Sequence, residues 1–273
     1  MLLVTGINGQ LGCEMSRILR DAIFVSRNDL DISNEKQVSS FVKSHNVDCI
    51  LNCAAYTAVD AAEDNVSEAE LVNTVGPQNL SKYCSKIIHI STDYVFDGKG
   101  YQPYSPGDKT NPLSVYGKTK LAGEQAVLEN SSEAVIIRTS WLYSSYGKNF
   151  VKTIRELAKT KKQIRVISDQ IGSPTYAADL ARAIAQIIPN VSKNKKGIYH
   201  YSNEGICSWY DFAYEIVEQS NLDCEVIPIL SSEYPTKAIR PFYSVLSKEK
   251  IKKVFNIEIP HWRSSLRTCL SLF

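Results

Sequence analysis

The 273-residue sequence predicts an α/β protein with a doubly wound, Rossmann-like parallel sheet and a smaller C-terminal α/β lobe. Short apolar runs alternate with helical stretches through the first half of the chain, which is the pattern of a parallel sheet covered by helices on both faces. A glycine-rich turn also follows the first apolar run directly, as in dinucleotide-binding folds. After residue 140 the alternation becomes less regular, and this change predicts the second lobe.

The predicted strands and helices alternate along the chain as this fold requires. Strands are predicted at 2–6, 22–26, 49–55, 86–92 and 134–140, and the helices between them at about 10–21, 35–44, 66–84 and 116–130. Further on, the sequence predicts a helix in NFVKTIRELAK, a strand in IRVISDQ and an amphipathic helix in YAADLARAIAQII. We therefore expect a dinucleotide-binding domain at 1–140, to which 176–200 return, and a substrate-binding lobe formed mainly by 141–175 and 201–273.

Composition and charge argue against several classes of protein. Thirty-one basic and 29 acidic residues give a formal net charge of +2, which is too balanced to indicate a nucleic-acid or membrane-surface partner. The seven cysteines contain no CxxC pair, so neither a disulfide framework nor a zinc site is predicted, and a reducing compartment fits best. No apolar run has the length of a signal or membrane segment. We expect a cytoplasmic protein.

The turn after the first predicted strand is a candidate phosphate-binding site. It reads TGINGQLG, with glycines at positions 6, 9 and 12. Such glycines allow a tight turn and let the backbone approach a pyrophosphate, while the helix that follows offers N–H groups and a positive dipole. A plain structural turn is the alternative, but the place of this turn between a strand and a helix favours a dinucleotide.

The end of the second predicted strand bears on the choice between NADP and NAD. The segment VSRN puts Arg27 where an acidic residue would bind the adenosine ribose of NAD. An arginine at this point can accommodate a 2′-phosphate, so the sequence favours NADP. NAD remains the alternative, because Asp29 and Asp31 lie close by and an arginine here is as often a surface residue.

A tyrosine and a lysine near the carboxyl end of the fourth strand are candidate catalytic residues. Tyr116 and Lys120 are four residues apart on a predicted helix and therefore share a face. A lysine ammonium beside a phenol lowers the pKa of that phenol, which can then act as a general acid or base. A hydroxyl of Ser91 or Thr92 could hold a substrate carbonyl oxygen. Together these groups predict a reductase, and a solvated patch at a helix start is the alternative reading.

Seven strings of the sequence resemble one family. They are TGINGQLG, NCAAYTAVDAAE, STDYVFDG, NPLSVYGKTKLAGE, RTSWLY, DQIGSPTYAADLA and YPTKAIRP, in order from residue 4 to about 246. They resemble the dTDP-4-dehydrorhamnose reductase family, in the nucleotide-sugar branch of the extended short-chain dehydrogenase/reductases. The resemblance implies reduction of the C4 ketone of dTDP-4-dehydro-L-rhamnose by NADPH or NADH, the last step of dTDP-L-rhamnose synthesis for polysaccharide biosynthesis. The alternatives are a related ketoreductase for another deoxy sugar and a non-catalytic, dinucleotide-binding regulatory subunit.

The same resemblance implies a role for individual residues. The catalytic trio would be Thr92, Tyr116 and Lys120, of which Tyr116 and Lys120 also contact the cofactor. The cofactor pyrophosphate would contact Gly6, Gly9, Gln10, Leu11 and Gly12. The rest of the cofactor would contact Asp31 and Ile32 at its adenosine end and Ala54, Ala55 and Tyr56 near the nicotinamide. The substrate would contact Thr92, Asp93, Trp141, Asn149 and Arg240. An arginine fork matches diphosphate oxygens, whereas a tryptophan beside a strand end can equally be core packing.

A departure from the family concerns a metal ion. Some members of the family dimerise around a magnesium ion held by acidic residues, and Glu14 fits the first of these positions. The second position reads Ala178, and Asp179 beside it would point about 100° away on a helix. None of the four histidines has a metal-like spacing, and His89 within an apolar strand is predicted to be a core residue. We predict no essential metal and a monomer or homodimer.

Overall fold

Twelve strands are formed in the computed structural model, which describes all 273 residues. In chain order they are β1 (Leu2–Thr5), β2 (Ala22–Val25), β3 (Cys49–Asn52), β4 (Lys86–Thr92), β5 (Glu133–Thr139), β6 (Leu142–Tyr143), β7 (Gln163–Ile167), β8 (Ile171–Gly172), β9 (Thr175–Tyr176), β10 (Gly197–His200), β11 (Cys207–Ser208) and β12 (Glu225–Ile229). The longest strands are β4 and β5, which have seven residues each and pair with each other in parallel.

Eleven α-helices connect or flank these strands. They are α1 (Gln10–Ile18), α2 (Glu35–Ser44), α3 (Val59–Ala62), α4 (Val66–Glu70), α5 (Gly76–Tyr83), α6 (Val115–Asn130), α7 (Phe150–Thr160), α8 (Ala177–Ile187), α9 (Trp209–Gln219), α10 (Glu249–Phe255) and α11 (Trp262–Leu270). No helix combines the length and the apolar character that crossing a membrane requires.

Six strands form one parallel sheet in the order β10-β5-β4-β3-β1-β2. From β1 the chain moves outward to β2 on one side, and then returns to build β3, β4 and β5 on the other side. The strand order therefore reverses between β1 and β3, and in open α/β sheets ligands bind beside the carboxyl ends of the strands at such a point. The predicted doubly wound, Rossmann-like fold is confirmed.

The core lies on both faces of this sheet because successive strand residues point to opposite sides. Val4 packs with Met15 of α1 and Ile184 of α8 on one face. Leu3, its neighbour in β1, packs with Val127 of α6 on the other face, among side chains of α2 and α5. This arrangement explains why the strands read as continuous apolar runs rather than as alternating patterns.

The C-terminal half contributes to two separate cores. Helix α8 packs against α1, and β10 pairs in parallel with β5 at the edge of the main sheet. A separate apolar cluster joins α7, α9 and α11 to the parallel pair β7 and β12. Residues 177–187 and 197–200 thus adjoin the main sheet, while most of the remaining C-terminal residues build the second cluster.

The observed elements differ from the predicted ones mainly where the chain leaves the sheet. The predicted helix at 66–84 is divided by a π-helical turn at Leu71–Val75, which turns the buried Asn73 toward the segment after β3. The Asn73 amide bonds both backbone groups of Tyr56, accepting from its N–H at 2.9 Å and donating to its carbonyl at 3.1 Å. Strand β3 ends at Asn52, three residues earlier than predicted.

Candidate active site

The glycine-rich turn is formed as predicted between β1 and α1. Gly6 has a φ of +77°, and a Cβ at this position would come within 2.7 Å of the Ala54 nitrogen. A Cβ at Gly12 would come within 2.2 Å of the Gly6 carbonyl oxygen. No side chain caps the start of α1. The turn therefore brings bare backbone against the segment after β3 and leaves the helix N-terminus open to an anion.

Two cavities that share part of their walls form one groove along this turn. The turn cavity has a volume of about 270 Å³, and its lining includes Gly6, Gly9, Arg27, Asp31, Ile32, Ala54, Ala55 and Tyr56. The central cavity has a volume of about 650 Å³, and its lining includes Gly9, Gln10, Leu11, Gly12, Thr92, Asp93, Tyr116, Lys120, Trp141 and Asn149. All predicted site residues except Arg240 therefore lie along one groove.

The exposed arginine Arg27 lines the turn cavity. The Arg27 side chain is 69% exposed, and its Nη1 lies 3.2 Å from Oε1 of Glu68. Such an exposed ion pair is weak, because solvent screens it and both side chains lose entropy in forming it. Asp31 accepts hydrogen bonds from the backbone N–H and the hydroxyl of Ser33. Arg27 is thus available to an anionic ligand at the cost of a weak ion pair.

Helix α6 positions the tyrosine and the lysine in the central cavity. Ser114 caps this helix by accepting from the Gly117 N–H at 3.1 Å. At Gly117 a Cβ would come within 2.3 Å of the Tyr94 carbonyl oxygen, so the missing side chain lets α6 approach the end of β4 closely. The Tyr116 ring makes an edge-to-face contact with that of Tyr94, with ring centroids 5.4 Å apart. The predicted spacing does put Tyr116 and Lys120 on one face of α6.

The ionisation of Tyr116 differs from the prediction. Burial raises the pKa of Tyr116 to about 12, and the negative charge of Asp93 adds to this effect while a hydrogen bond from Thr92 opposes it. The expected lowering of this pKa by Lys120 was wrong for this structure. The lysine Nζ donates to the Ile90 carbonyl at 2.7 Å instead. A protonated phenol is nevertheless the form that a general acid requires.

Lys120 is a buried amine with compensating neighbours. Burial lowers the pKa of Lys120 to about 8, and the negative charge of Glu124 acts in the opposite direction. Glu124 is itself held by Arg138, whose Nε and Nη2 donate to its carboxylate at 2.7–3.2 Å. This ion pair is almost completely buried beneath the site. It fixes the face of α6 that carries the lysine.

Thr92, the last residue of β4, and Asp93, which follows it, line the same cavity. The Thr92 hydroxyl lies 3.1 Å from Oδ1 of Asp93 and accepts from the Tyr94 N–H at 3.2 Å. Asp93 is 2% exposed, and its Oδ2 has no hydrogen-bond partner. Burial raises the pKa of Asp93 to about 6, which the hydroxyls of Ser244 and Thr92 partly offset. The cavity lining therefore offers a hydroxyl and an acceptor with unused capacity.

Trp141 and Asn149, two of the five residues predicted to contact the substrate, lie in different surroundings. Trp141 stacks on Trp209 with ring centroids 3.6 Å apart, and both rings line the central cavity. Asn149 caps α7 by accepting from the Lys152 N–H, and its amide nitrogen lies within 3.0 Å of Gln10 Oε1. Its amide is thus largely engaged within the protein, although the residue still lines the cavity.

Arg240 lies outside the central cavity. It lines a neighbouring cavity of about 330 Å³, here called the lobe cavity, between α7, β7 and the loop that follows β12. Trp209 belongs to the walls of both cavities. Arg240 therefore does not line the central cavity with the catalytic trio, but it lies close enough to Tyr94, which does line that cavity, to act on the pKa of the Tyr94 phenol.

Sequence reasoning missed two residues that shape the site. Trp209 begins α9, and its local sequence reads as an ordinary helix start, because Ser208 and Asp211 form a capping box there. Asn73 looked like one polar residue in a long helix, yet its amide links Tyr56 to the Thr119 hydroxyl of α6. Asn73 lies in the π-helical turn, which no local pattern of the sequence predicts.

The residues considered for a metal ion form a different cluster. Burial raises the pKa of Glu14, Arg17 and Arg182 lower it, and the negative charge of Asp179 raises it further. Asp179 therefore lies close enough to Glu14 to raise the pKa of the Glu14 carboxyl. Its own carboxylate accepts from Arg182, Asn203 and Ser265. The structure contains no group of three or more His, Cys, Asp or Glu side chains arranged to hold a metal ion.

Comparison with protein families gives one match over the whole chain. The model of the RmlD substrate binding domain matches residues 1–273. The spore coat polysaccharide biosynthesis protein SpsK of Bacillus subtilis is 42% identical, over 98% of this chain and 96% of that protein. A dTDP-4-dehydrorhamnose reductase of Aggregatibacter actinomycetemcomitans is 40% identical, over 97% of each chain.

Solved structures of dTDP-4-dehydrorhamnose reductases are also similar to this chain. The dTDP-4-dehydrorhamnose reductase of Bacillus anthracis in complex with NADP superposes with a TM-score of 0.95 at 38% identity, over 100% of this chain and 99% of that one. The corresponding structure from Clostridium acetobutylicum gives a TM-score of 0.94 at 40% identity, over 99% and 98% of the two chains. The similarity thus extends over both lobes.

Proposed function

Because this chain belongs to the RmlD substrate binding domain family, we propose that it reduces the C4 ketone of dTDP-4-dehydro-L-rhamnose to dTDP-L-rhamnose with NADPH. The resemblance seen in the sequence motifs is confirmed at the level of the family. The observation that carries the reaction is the meeting of Thr92, Tyr116 and Lys120 in one cavity that continues the glycine-rich turn.

The groove fits a dinucleotide. Gly6 and Gly12 leave backbone where any larger residue would collide, so a pyrophosphate can approach Gly9 to Gly12 at the helix N-terminus. Asp31, Ile32 and the exposed Arg27 would meet the adenosine end, with Arg27 on the 2′-phosphate. Ala54, Ala55 and Tyr56 would lie near the nicotinamide. When bound, NADPH would supply the hydride for C4.

The protein supplies the proton and holds the carbonyl. Tyr116 is protonated at neutral pH, because burial raises its pKa to about 12, and it can donate its proton to the C4 oxygen as negative charge develops there. The Thr92 hydroxyl can hydrogen-bond the same oxygen. Lys120, four residues along α6, would stabilise the phenolate that remains and bind the nicotinamide ribose. The rings of Trp141 and Trp209 line part of the same central cavity.

The nucleotide sugar would extend from the central cavity across Trp209 toward the lobe cavity. Asp93, Trp141 and Asn149 would surround the sugar, Asn149 mainly by shaping the cavity wall. Arg240 would meet the diphosphate with the guanidinium N–H groups that its ion pair with Asp60 leaves free. In this proposal residues 1–140 and 176–200 bind the dinucleotide, while residues 141–175 and 201–273 mainly bind the substrate.

We further propose a cytoplasmic enzyme that acts as a monomer or homodimer, without a nucleic-acid or membrane partner and without an essential metal. All seven cysteines are free thiols, which suits a reducing compartment. The formal net charge of +2 provides no electrostatic basis for binding nucleic acid or a membrane surface.

One assay tests the reaction directly. The keto sugar nucleotide is generated in situ from dTDP-glucose with a 4,6-dehydratase and a 3,5-epimerase, and the purified protein is added with NADPH or NADH. Loss of nicotinamide absorbance must match the appearance of dTDP-L-rhamnose by chromatography, and the Tyr116→Phe variant serves as the control. Cofactor binding without turnover would instead favour a related ketoreductase acting on another deoxy sugar, or a regulatory subunit.

A further inference from the structure

A chain of buried polar groups runs beneath the catalytic lysine. Thr5 Oγ1 donates to Asn52 Oδ1 at 2.6 Å, and Asn52 Nδ2 lies 3.0 Å from Nδ1 of His89. His89 Nε2 in turn lies 3.4 Å from Nζ of Lys120. Asn52 and His89 are fully buried, and Lys120 is 1% exposed. Since bulk water cannot reach these groups, they must satisfy one another.

Asn52 determines which nitrogen of His89 carries the proton. Its Oδ1 accepts from the Thr5 hydroxyl and from the Ala54 N–H at 3.2 Å, so its amide nitrogen faces the histidine as a donor. His89 Nδ1 must then be an acceptor, which puts the proton of the neutral ring on Nε2. Burial lowers the pKa of His89 well below its usual value, and the Lys120 charge adds to this, so the ring is neutral at pH 7.

We propose that His89 is a positioning residue that directs the donors of Lys120 into the catalytic cavity. Its Nε2–H faces Nζ, so an ammonium at Lys120 cannot donate to the imidazole. The ammonium turns instead to the Ile90 carbonyl, at 2.7 Å, and to the central cavity that it shares with Tyr116. The same N–H disfavours the charged lysine, because the positive end of its dipole faces the ammonium.

Other groups that face Lys120 also affect how readily its amine carries a charge. Glu124, on the same helix, favours the ammonium, whereas burial keeps the thiol of Cys53, after β3, in its neutral form by raising the pKa of that thiol to about 12. The effect of Glu124 is reduced because Arg138 and the Ser91 hydroxyl already bind its carboxylate. His89, on β4, is the neighbour whose proton position can be changed without altering the helix that carries the lysine.

The substitution Asn52→Asp moves that proton with little change of shape. A carboxylate at position 52 still accepts from Thr5 and Ala54, but it presents an oxygen to His89 and draws the ring proton to Nδ1. Nε2 then becomes an acceptor for the Lys120 ammonium. We expect the pKa of Lys120 to rise by about one unit, a tenfold gain in proton affinity. The pKa is measured by following the 13Cε chemical shift of Lys120 against pH in protein labelled with 13C-lysine. The Lys120 peak is assigned as the one that disappears in the Lys120→Met variant.

A double-mutant cycle separates the imidazole from the added charge. The effect of Asn52→Asp is measured again in a His89→Phe background, which has the same charge at position 52 but no ring nitrogen. We expect less than half of the shift to remain there. An unchanged Lys120 titration in Asn52→Asp, or the full shift in the double variant, would overturn the proposal.

A second variant covers the case in which Asn52→Asp does not fold. His89→Phe alone removes the N–H and is expected to raise the Lys120 pKa by about half a unit, a roughly threefold gain in proton affinity. An unchanged or lower value contradicts the proposal. The catalytic meaning of this positioning rests on the proposed function, but the titration needs no substrate. Failure of the reductase assay and failure of the His89 proposal are therefore separate results.

Discussion

The guanidinium of Arg240 lies against the carboxylate of Asp60, and this ion pair joins the loop after β12 to α3. Nη1 is 3.1 Å from Oδ1 and Nη2 is 2.6 Å from Oδ2, while the Ala238 N–H also donates to Oδ1 at 3.0 Å. The hydrogen bond from Arg240 is the main reason why the pKa of Asp60 lies below its usual value. Asp60 thus holds the loop whose arginine lines the lobe cavity.

We expect Asp60→Asn to weaken substrate binding without slowing the chemical step. The amide keeps an oxygen for the Ala238 N–H and Nη1, but it presents an NH₂ group to Nη2 and removes the negative charge, so Arg240 loses its two-point contact and its fixed orientation toward the diphosphate. The KM for the nucleotide sugar should rise about tenfold, which is a binding loss of about 1.4 kcal/mol, while kcat changes less than twofold. Steady-state kinetics and calorimetric titration with dTDP measure both effects.

Asp64→Asn is the matched control for this prediction. Asp64 pairs with Lys237 of the same loop, but both side chains are more than half exposed, at 62% and 51%. Exposed pairs of this kind contribute little, so KM should stay within twofold of the wild-type value. Equal effects of the two substitutions would show that the general charge of the α3 segment matters, rather than the orientation of Arg240.

Tyr116→Phe should remove turnover but not cofactor binding. The variant keeps the ring and its edge contact with Tyr94 and loses only the proton donor. General acid catalysis of this kind contributes roughly 10²–10⁴-fold, so kcat should fall by that factor while the Kd for NADPH, measured by fluorescence, stays within twofold. Tyr94→Phe, which removes a neighbouring phenol, should retain most of the activity. A modest loss in Tyr116→Phe would remove the main support for the proposed chemistry.

Arg27→Leu should change the preference between the two cofactors. The guanidinium is proposed to meet the 2′-phosphate that only NADPH carries, so kcat/KM should fall about tenfold with NADPH and change little with NADH. Glu68→Gln is the opposite test, because it frees Arg27 from its partner at 3.2 Å and should improve NADPH binding slightly. Parallel losses with both cofactors would assign Arg27 a structural role instead.

The parts of this molecule that could be predicted are those determined by the pattern of residues that are close together in the sequence. Strand β5, Glu133–Thr139, follows from an apolar run, and the shared face of Tyr116 and Lys120 follows from the helical repeat. The glycine-rich turn could be predicted as well, because its glycines are closely spaced between a strand and a helix. The structure gives the physical reason for one of them, since a Cβ at Gly12 cannot be accommodated. Each of these inferences needs only residues that are close together in the chain.

What could not be predicted depends on partners that are distant in the chain. Asp60 and Arg240 are separated by 180 positions, and no local pattern links a loop after β12 to α3. His89 was predicted to be a core residue, and it is fully buried, but its contact with Lys120 arises only when α6 packs across β4. The raised pKa of Tyr116 has the same origin, since burial is a property of the assembled site.

Asp93→Asn should stabilise the protein in a pH-dependent way. Burial raises the pKa of Asp93 from its usual 3.8 to about 6, so between these values the folded state binds more protons than the unfolded state. The free energy of unfolding of the wild type therefore falls as the pH rises from about 4 to 6. Asparagine stays neutral throughout. The stability difference between variant and wild type should grow over this range by on the order of 2–3 kcal/mol, since one pKa unit corresponds to about 1.4 kcal/mol.

Urea unfolding at pH 4 and at pH 7 measures this difference, and Asp97→Asn supplies a control of opposite sign. A hydrogen bond from Asn111 is the main reason why the pKa of Asp97 lies below its usual value. Its ionised form therefore stabilises the fold above about pH 4, and this contribution is lost as the pH falls, so Asp97→Asn should cost more stability at pH 7 than at pH 4. If the stability difference for Asp93→Asn were the same at both pH values, the carboxylate would have to be better solvated than its 2% exposure implies.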